Sequence, residues 1–306
     1  MSVLTANGVR DLVTVHRLEY PLSVHYLGYA VLGACYAADA AADLVTLPAI
    51  LAVLTNLALV VSMNSLNTAA DVATDSQSDD KGYVSSAAVR LGRPKLVWLA
   101  AGEMTFALAV TTALSVWTGR WYLVASTALV VLLHLLYNLE PVRLKRRGCA
   151  NPASLGISLG LLPCVISYGA LRPDFEPSVW PILVAWAVLI TGRAWWWSLP
   201  DRAADAATGM GTPAVRHGAV RTLVVCGVLT GLGLVLLGWG LWWRYGPLWG
   251  LAGVAISTGF LAYVLPLLPD GGRAGKAPNA TRMRRRGMSL VVLANVVVAL
   301  IPLVVG

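Results

Sequence analysis

Nine predominantly apolar stretches, each about 20 residues long, dominate this sequence. Segments of this length cross a bilayer as α-helices, because every backbone N–H and C=O must be hydrogen-bonded within the segment. A composition with 57% apolar residues, 12% charged residues and a mean hydropathy of +0.69 is also unsuited to a soluble domain. The sequence therefore predicts one all-α, polytopic membrane domain over residues 1–306, with nine transmembrane helices. The predicted spans lie near residues 21–40, 46–66, 96–117, 121–138, 153–170, 178–200, 221–241, 246–265 and 288–305.

Basic residues are distributed unequally between the two sides of the predicted bundle. The N-terminus and the loops after the second, fourth, sixth and eighth spans carry most of them, whereas the opposite side has only Arg120, Arg172 and Arg244. Under the positive-inside rule, the N-terminus and all long loops are cytoplasmic, in a plasma membrane of bacterial type. The net charge of +8 is then a topology signal with some attraction for anionic lipid, and it does not indicate nucleic-acid binding.

Two acidic stripes follow the second and sixth spans. Asn67, Asp71 and Asp75 are spaced four residues apart, and Asp201 and Asp205 repeat that spacing. Side chains four residues apart lie on one face of a helix, so each stripe points its oxygens in one direction. Such oxygens bind Mg²⁺ while leaving coordination positions free for substrate phosphates. The sequence therefore predicts a Mg²⁺ site at the cytoplasmic ends of two helices.

A third polar motif, YNLEPVRLKRRG, follows the fourth span. It contains Tyr137, Arg143 and Lys145, a phenol and two cations that can clamp a phosphate. The same basic run would also satisfy the positive-inside rule without binding phosphate. The motif by itself leaves both interpretations open.

Two features concern the organisation of the chain. The segment 269–287 has the glycine, proline and charge content of a flexible connector between the last two spans. The acidic stripes lie at matching points after spans two and six, which indicates an internal repeat of four-helix units.

The three motifs together resemble the signature loops of the UbiA superfamily of intramembrane prenyltransferases. The resemblance comprises residues 67–75, 137–145 and 201–213, the last in the form D-x-x-x-D-x-x-x-G-x-x-T-P, and it extends to the helix count. It implies a bundle around a central cavity with a cytoplasmic cap, where Mg²⁺ assists the departure of diphosphate from an isoprenoid donor.

The resemblance also implies a role for individual residues. The implied metal ligands are Asn67, Asp71, Asp75, Asp201 and Asp205, and the catalytic residues among them are Asp71, Asp201 and Asp205. The implied diphosphate-binding residues are Tyr137, Arg143, Lys145 and Arg193. Trp197, four residues before Asp201 and on its helix face, is expected to line the pocket and stabilise a carbocation.

The chain departs from the family pattern where an acceptor would be handled. Family members commonly carry Asp where this chain has Thr68, and R-E-x-x-K-D where residues 193–198 read Arg-Ala-Trp-Trp-Trp-Ser. The missing polar groups would help to bind, orient or deprotonate an acceptor, whereas the aromatic face of Trp197 suits a cation. We therefore favour cyclisation of geranyl, farnesyl or geranylgeranyl diphosphate, as in a terpene cyclase.

Two alternative functions remain open. The first is a prenyltransferase that moves the isoprenyl group onto an aromatic or other small lipophilic acceptor. The second and more remote one is an ion-coupled transporter, since polytopic bundles with repeats and acidic residues also carry ions. Transporter sites lie near the bilayer midplane, however, whereas the acidic stripes lie at helix ends.

Some polar and aromatic residues in the spans have a structural interpretation. Glu103, His25 and His134 are ionisable residues within spans, but each occurs singly, and we interpret them as packed side chains that face the bundle interior. Trp195 and Trp196 near a span end equally fit an interfacial aromatic belt.

Overall fold

The computed structural model describes residues 6–76, 81–268 and 280–305, and these residues form helices joined by turns. Apolar segments become helical in lipid because a helix satisfies its own backbone hydrogen bonds. The described ranges contain no β-strand, and the predicted all-α class is confirmed. The helices are α1 (Ala6–Val15), α2 (Leu22–Ala37), α3 (Leu47–Asp75), α4 (Gly82–Leu91), α5 (Arg93–Thr118), α6 (Tyr122–Asn138), α7 (Ala150–Leu171), α8 (Val179–Trp197), α9 (Arg202–Ala207), α10 (Pro213–Tyr245), α11 (Pro247–Leu267) and α12 (Met283–Val305).

Seven of the described helices are long and apolar enough to cross a bilayer, namely α3, α5, α7, α8, α10, α11 and α12. The other two predicted spans correspond to α2, which has 16 residues, and α6, which has 17. Both are shorter than the roughly 20 residues that span hydrocarbon. The chain is therefore a polytopic membrane protein in which all nine predicted spans are helical and two of them are short.

The middle of the bundle is formed by α2, α7 and α8, which approach one another at two glycines. A Cβ on Gly33 would lie 2.1 Å from the carbonyl oxygen of Cys164, so α2 and α7 meet at their backbones. A Cβ on Gly156 would lie 2.0 Å from Oγ1 of Thr191, which brings α7 equally close to α8. Small residues at such contacts are typical of helix packing in membranes.

The first acidic stripe lies on one continuous helix, whereas the second does not. Helix α3 continues past its apolar part to Asp75, so all three residues of the first stripe share a helix as predicted. Helix α8 ends at Trp197, and Asp201 is the N-cap of α9. The prediction that Trp197 and Asp201 share a helix face is therefore wrong, because Pro200 disfavours the helical conformation at the residue before it.

The predicted flexible connector is helical in its second part. Residues 269–279 lie outside the described ranges, but the chain is helical from Ala280 onward and continues into α12. Nη1 of Arg284 donates a hydrogen bond to the hydroxyl of Tyr83 at 2.9 Å, which ties this part to α4. The prediction was wrong for residues 280–287. The internal repeat of four-helix units stays a prediction.

The three arginines assigned to the side away from the acidic stripes bind the C-terminal ends of α2 and α7. Arg120 donates to the carbonyl of Gly169 at 2.8 Å, and Arg172 donates to that of Ala37 at 2.9 Å. Arg244 donates at 3.3 Å to a carbonyl in the last turn of α2. Cations at these positions stabilise helix C-termini, so the charge distribution correctly placed all three at one end of the bundle.

Candidate functional site

One cavity is lined by Asn67 of α3, by Asp201 and Asp205 of α9, and by Lys81. The Lys81 ammonium lies 2.7 Å from Oδ2 of Asp201 and 3.8 Å from Oδ1 of Asp75. The cavity has a volume of about 100 Å³. Its polar lining also includes Arg17, Asn67, Tyr137, Lys145, Asp205 and Thr212.

Asp71 is buried on α3 and is neutralised by two cations from the loop after α6. Nη2 of Arg143 lies 3.1 Å from Oδ1 of Asp71, and the Lys145 ammonium contacts Oδ2. The amide of Asn151 donates to the Lys145 carbonyl at 3.0 Å and so fixes this loop against α7. A buried carboxylate needs such partners, because an isolated charge is costly there.

Asn67 and Tyr137 complete this side of the cavity. Nδ2 of Asn67 donates to Oδ1 of Asn138 at 3.1 Å, and the Tyr137 hydroxyl donates to Oδ1 of Asn151 at 3.4 Å. The structure thus brings the two acidic stripes together with Tyr137, Arg143 and Lys145.

Arg17, between α1 and α2, is a site residue that the sequence did not single out. Its Nη2 donates to Oδ1 of Asn67 at 3.1 Å, and its buried Nε has no hydrogen-bond partner among the described residues. Burial opposes the charge of this guanidinium, but the nearby carboxylates, Asp75 foremost, outweigh it and raise the pKa of Arg17. Arg17 therefore lies in the field of the carboxylates and is hydrogen-bonded to the one amide of the first stripe.

The backbone also marks Arg17 as unusual. Among the described residues, Arg17 with φ 54° and Arg143 with φ 35° are the two non-glycine residues in the left-handed region. Such conformations are strained for residues with a side chain, and they concentrate at functional sites. The chain before Arg17 is fastened to the bundle, since Nε2 of His16 lies 2.8 Å from Oε1 of Glu103. Glu103 is thus a paired interior side chain, as interpreted from the sequence.

A second cavity, of about 140 Å³, adjoins the acidic one. Both cavities are lined by Leu155, Ala194 and Trp197, so Trp197 lies at their junction. Arg193 lines the second cavity and does not line the acidic one. Its role as a diphosphate ligand stays a prediction.

The acidic cavity offers oxygen donors of the kind that Mg²⁺ prefers. Asp75 lies behind Lys81, and its Oδ2 is buried and has no hydrogen-bond partner among the described residues. No three Asp, Glu, His or Cys side chains in the described ranges form a ready metal-binding group, and the ammonium groups of Lys81 and Lys145 lie against Asp201 and Asp71. These oxygen donors fit Mg²⁺ in their chemistry. The ammonium groups of Lys81 and Lys145 contact two of the carboxylates.

Asp205 is a buried carboxylate whose charge is poorly compensated. Burial and the neighbouring charge of Asp201 raise the pKa of Asp205 from 3.8 to about 6, although the Thr212 hydroxyl, which donates to Oδ2 at 2.9 Å, opposes the shift. A carboxyl with a raised folded-state pKa binds protons more readily when folded. The stabilisation of the folded state by protonated Asp205 is therefore lost as the pH rises from about 4 to about 6.

We expect Asp205→Asn to stabilise the protein in a pH-dependent way. Asparagine can still accept the Thr212 hydrogen bond but carries no charge. The Tm of the variant should therefore lie a few degrees above that of the wild type at pH 7 and equal it at pH 4. The measurement is the apparent Tm in detergent and EDTA across this range. Asp174→Asn, an exposed change at the opposite end, is the control. A Tm difference that is constant with pH would contradict the assignment.

The chain was compared with known families and solved structures. The model of the UbiA prenyltransferase family matches residues 26–283. A UbiA homolog from Archaeoglobus fulgidus bound to DMAPP and Mg²⁺ has a TM-score of 0.72 and 13% identity, over 97% of this chain and 100% of that one. A UbiA homolog from the same organism bound to GPP and Mg²⁺ has a TM-score of 0.69 and 13% identity, over 96% of this chain and 100% of that one. The structure of digeranylgeranylglyceryl phosphate synthase has a TM-score of 0.63 and 15% identity, over 95% of this chain and 98% of that one. No curated protein matches the sequence significantly.

These comparisons confirm the resemblance drawn from the three motifs. The matched residues 26–283 include both acidic stripes and the basic motif between them. The fold agrees over nearly the full length of the solved structures, although at these identities the likeness concerns the fold alone. The chain belongs to the UbiA prenyltransferase family.

Proposed function

We propose that the chain is an integral-membrane enzyme that consumes an isoprenyl diphosphate in a Mg²⁺-dependent reaction. The observation that carries this proposal is the pairing of a charged cavity with an apolar one, joined at Trp197. An isoprenyl diphosphate has the same two parts, a charged head and an apolar tail. The fold likeness to homologs that bind DMAPP or GPP with Mg²⁺ supports this assignment.

The diphosphate head is assigned to the cations of the acidic cavity. Lys81, Lys145 and Arg143 now contact carboxylates, and Arg17 contacts Asn67, so four cations lie within one small region. Arginine and lysine bind phosphate oxygens through strong charge-assisted hydrogen bonds. The Tyr137 hydroxyl, which lies beside them, can add a neutral donor.

The carboxylates in and beside the same cavity are assigned to the metal. Mg²⁺ would be held by Asn67, Asp71, Asp75, Asp201 and Asp205, and when bound it would neutralise charge on the departing pyrophosphate. The unpartnered oxygen of Asp75 and the poorly compensated charge of Asp205 support this set. A diphosphate would give Lys81 and Lys145 new partners as it enters.

The proposed first step is ionisation of the donor. The bond between the allylic carbon and the diphosphate oxygen breaks, and both electrons leave with the diphosphate. Arg17, Arg143 and Lys145 stabilise the negative charge that develops on the leaving group. The carbocation left on the isoprenyl chain would face Trp197, and an aromatic face stabilises positive charge.

Two fates of this carbocation are candidates. Trp197 supports cyclisation, in which a double bond of the same chain gives its electron pair to the cationic carbon, and the new cation then releases a proton to the pyrophosphate. The cationic Arg193 in the adjoining cavity favours transfer, because a fixed positive charge repels a carbocation that migrates through that space. In transfer, an acceptor gives an electron pair to the allylic carbon and releases a proton to the pyrophosphate. We propose transfer as the main reaction and cyclisation as the second candidate.

The acidic cavity is assigned to the cytoplasmic face of the membrane. Arg120, Arg172 and Arg244 lie at the other end of the bundle, whereas most basic residues lie near the cavity end. The positive-inside rule supports this orientation.

A single incubation series separates these possibilities. Purified protein in detergent is given Mg²⁺ and geranyl, farnesyl or geranylgeranyl diphosphate, with and without an aromatic or quinone-like acceptor. We expect Mg²⁺-dependent pyrophosphate release and a prenylated product that requires the acceptor, seen by gas or liquid chromatography. Cyclic hydrocarbons or alcohols without acceptor would establish cyclisation instead. Ion-dependent uptake into proteoliposomes without pyrophosphate release would overturn the enzyme proposal.

A further inference from the structure

Helix α1 ends in a Schellman motif that has an arginine where glycine is usual. The backbone N–H of Leu18 donates to the carbonyl of Val13 at 2.9 Å, and that of Arg17 donates to the carbonyl of Thr14 at 3.0 Å. These two bonds define the motif, and its glycine position, here Arg17 with φ 54°, is left-handed. Glycine adopts this conformation without a steric penalty because it has no Cβ. The chain therefore accepts strain at the residue of this turn that lines the acidic cavity.

Two side chains of α3 hold the backbone directly before Arg17. Nδ2 of Asn64 donates to the carbonyl of His16 at 3.0 Å, and Oγ1 of Thr68 donates to the carbonyl of Val15 at 3.2 Å. Carbonyls at the C-terminus of a helix have no partner within the helix and are satisfied from outside. Asn64 and Thr68 are four residues apart and share a face of α3, which adjoins the first acidic stripe. Helix α3 thus carries the stripe and also holds the turn that contains Arg17.

Thr68 is directed at this turn and not at the acidic cavity. It is 1% exposed and is not among the residues that line the cavity. Family members commonly carry Asp at this position, and an ionised aspartate has no proton to donate. The Thr68 hydroxyl therefore supplies a hydrogen bond to Val15 that the commoner aspartate could not make.

We propose that Thr68 and Asn64 are positioning residues, which hold Arg17 in its left-handed conformation with the guanidinium directed at the diphosphate. The inference rests on the proposed function, since it takes the acidic cavity to be the diphosphate site. Without the two hydrogen bonds, the turn would relax toward conformations that are less strained for arginine. The guanidinium would then spend less time beside Asn67, to which it donates at 3.1 Å. A preorganised cation binds an anion more tightly than a mobile one, because less ordering is needed on binding.

The test measures the affinity for inorganic pyrophosphate with Mg²⁺ by isothermal titration calorimetry in one detergent. Thr68→Val removes the hydroxyl, and Thr68→Ser retains it. Thr111→Val is the matched control, because Thr111 is also fully buried and its hydroxyl donates to the backbone carbonyl of Ala107 at 2.8 Å. We expect Thr68→Val to weaken binding about fivefold, and Thr68→Ser and Thr111→Val to bind as the wild type does.

The same substitution in an Arg17→Gln background separates positioning from a general effect on the fold. There, Thr68→Val should weaken pyrophosphate binding no further, because the side chain that Thr68 positions has lost its charge. Normal affinity in Thr68→Val, or an equal loss with and without Arg17, would overturn the proposal. The contact of His16 with Glu103 still attaches α1 in this variant. If Thr68→Val nevertheless fails to fold, Asn64→Leu frees the neighbouring carbonyl and is judged by the same two criteria.

The proposed function has a separate readout in pyrophosphate release from an isoprenyl donor. A wild type that binds pyrophosphate with Mg²⁺ but releases none from any donor would count against the proposed function, and the affinities of the variants would still decide the positioning role. A wild type without measurable affinity for pyrophosphate would overturn the positioning role.

Discussion

Replacing Asp201 by asparagine should reduce Mg²⁺-dependent pyrophosphate release by roughly 100-fold or more while the bundle stays folded. The physical reason is the loss of one negative oxygen donor from the proposed metal site, at the point where the two acidic stripes meet. Asparagine is a good N-cap for α9, and Lys81 keeps Asp75 as a partner at 3.8 Å. The measurement is initial-rate pyrophosphate release with each isoprenyl diphosphate at saturating Mg²⁺.

The exposed change Asp174→Asn at the opposite end is the matched control and should keep wild-type turnover. Asp71→Ala should be equally inactive, but it also leaves Arg143 and Lys145 without their buried counter-charge and so tests stability together with chemistry. Near-normal turnover in both Asp201→Asn and Asp71→Ala would remove the site assignment.

Replacing Arg17 by glutamine should also lower turnover by roughly 100-fold. The buried Nε of Arg17 has no partner among the described residues, and its guanidinium is hydrogen-bonded to Asn67, so its positive charge is available to the leaving diphosphate. Glutamine keeps a donor toward Asn67 but loses the charge. The measurements are turnover with the isoprenyl donor and the inhibition constant of inorganic pyrophosphate, both of which should worsen.

Arg10→Gln is the control for this change, because Arg10 is an exposed residue of α1 and the substitution removes the same charge from the same segment. If Arg17→Gln retained normal turnover and normal inhibition by pyrophosphate, Arg17 would serve to tie the N-terminal segment to Asn67 and nothing more.

The helices could be predicted from the sequence because membrane insertion depends on local apolar length. Each predicted span became a helix, including Val179–Trp197 and Leu47–Asp75. The short helix α2 was harder to anticipate, since its close packing depends on the contact of Gly33 with Cys164, which are far apart in sequence. Helix length inside a bundle is set by such neighbours and not by the hydrocarbon thickness alone.

The acidic stripes could be predicted because residues four apart share a helix face, which is a local rule. The cations that surround them could be predicted only in part. Arg143 and Lys145 belong to a recognisable motif, whereas Arg17 and Lys81 contact partners 50 and 120 residues away. No local pattern encodes contacts of that range, so the sequence alone marks both only as basic residues of the predicted cytoplasmic side.

The surroundings of Arg193 could not be inferred from its position in a motif. In the sequence it stands where family members carry an arginine, but Ala194 and Ser198 replace polar residues that commonly follow it. The cavity that Arg193 lines is assembled from separate helices, which also contribute Tyr29 and His25.

The ammonium groups of Lys81 and Lys145 have a consequence for the order in which ligands enter. Each ammonium group occupies a place where a divalent ion would bind, because each balances the charge of a carboxylate. Mg²⁺ alone would have to displace the ammonium groups from the carboxylates and leave them without a new partner. It should therefore bind weakly by itself. The oxygens of an incoming diphosphate accept hydrogen bonds from the displaced ammonium groups. Mg²⁺ and diphosphate should therefore bind with positive cooperativity, each raising the affinity of the other by the same factor.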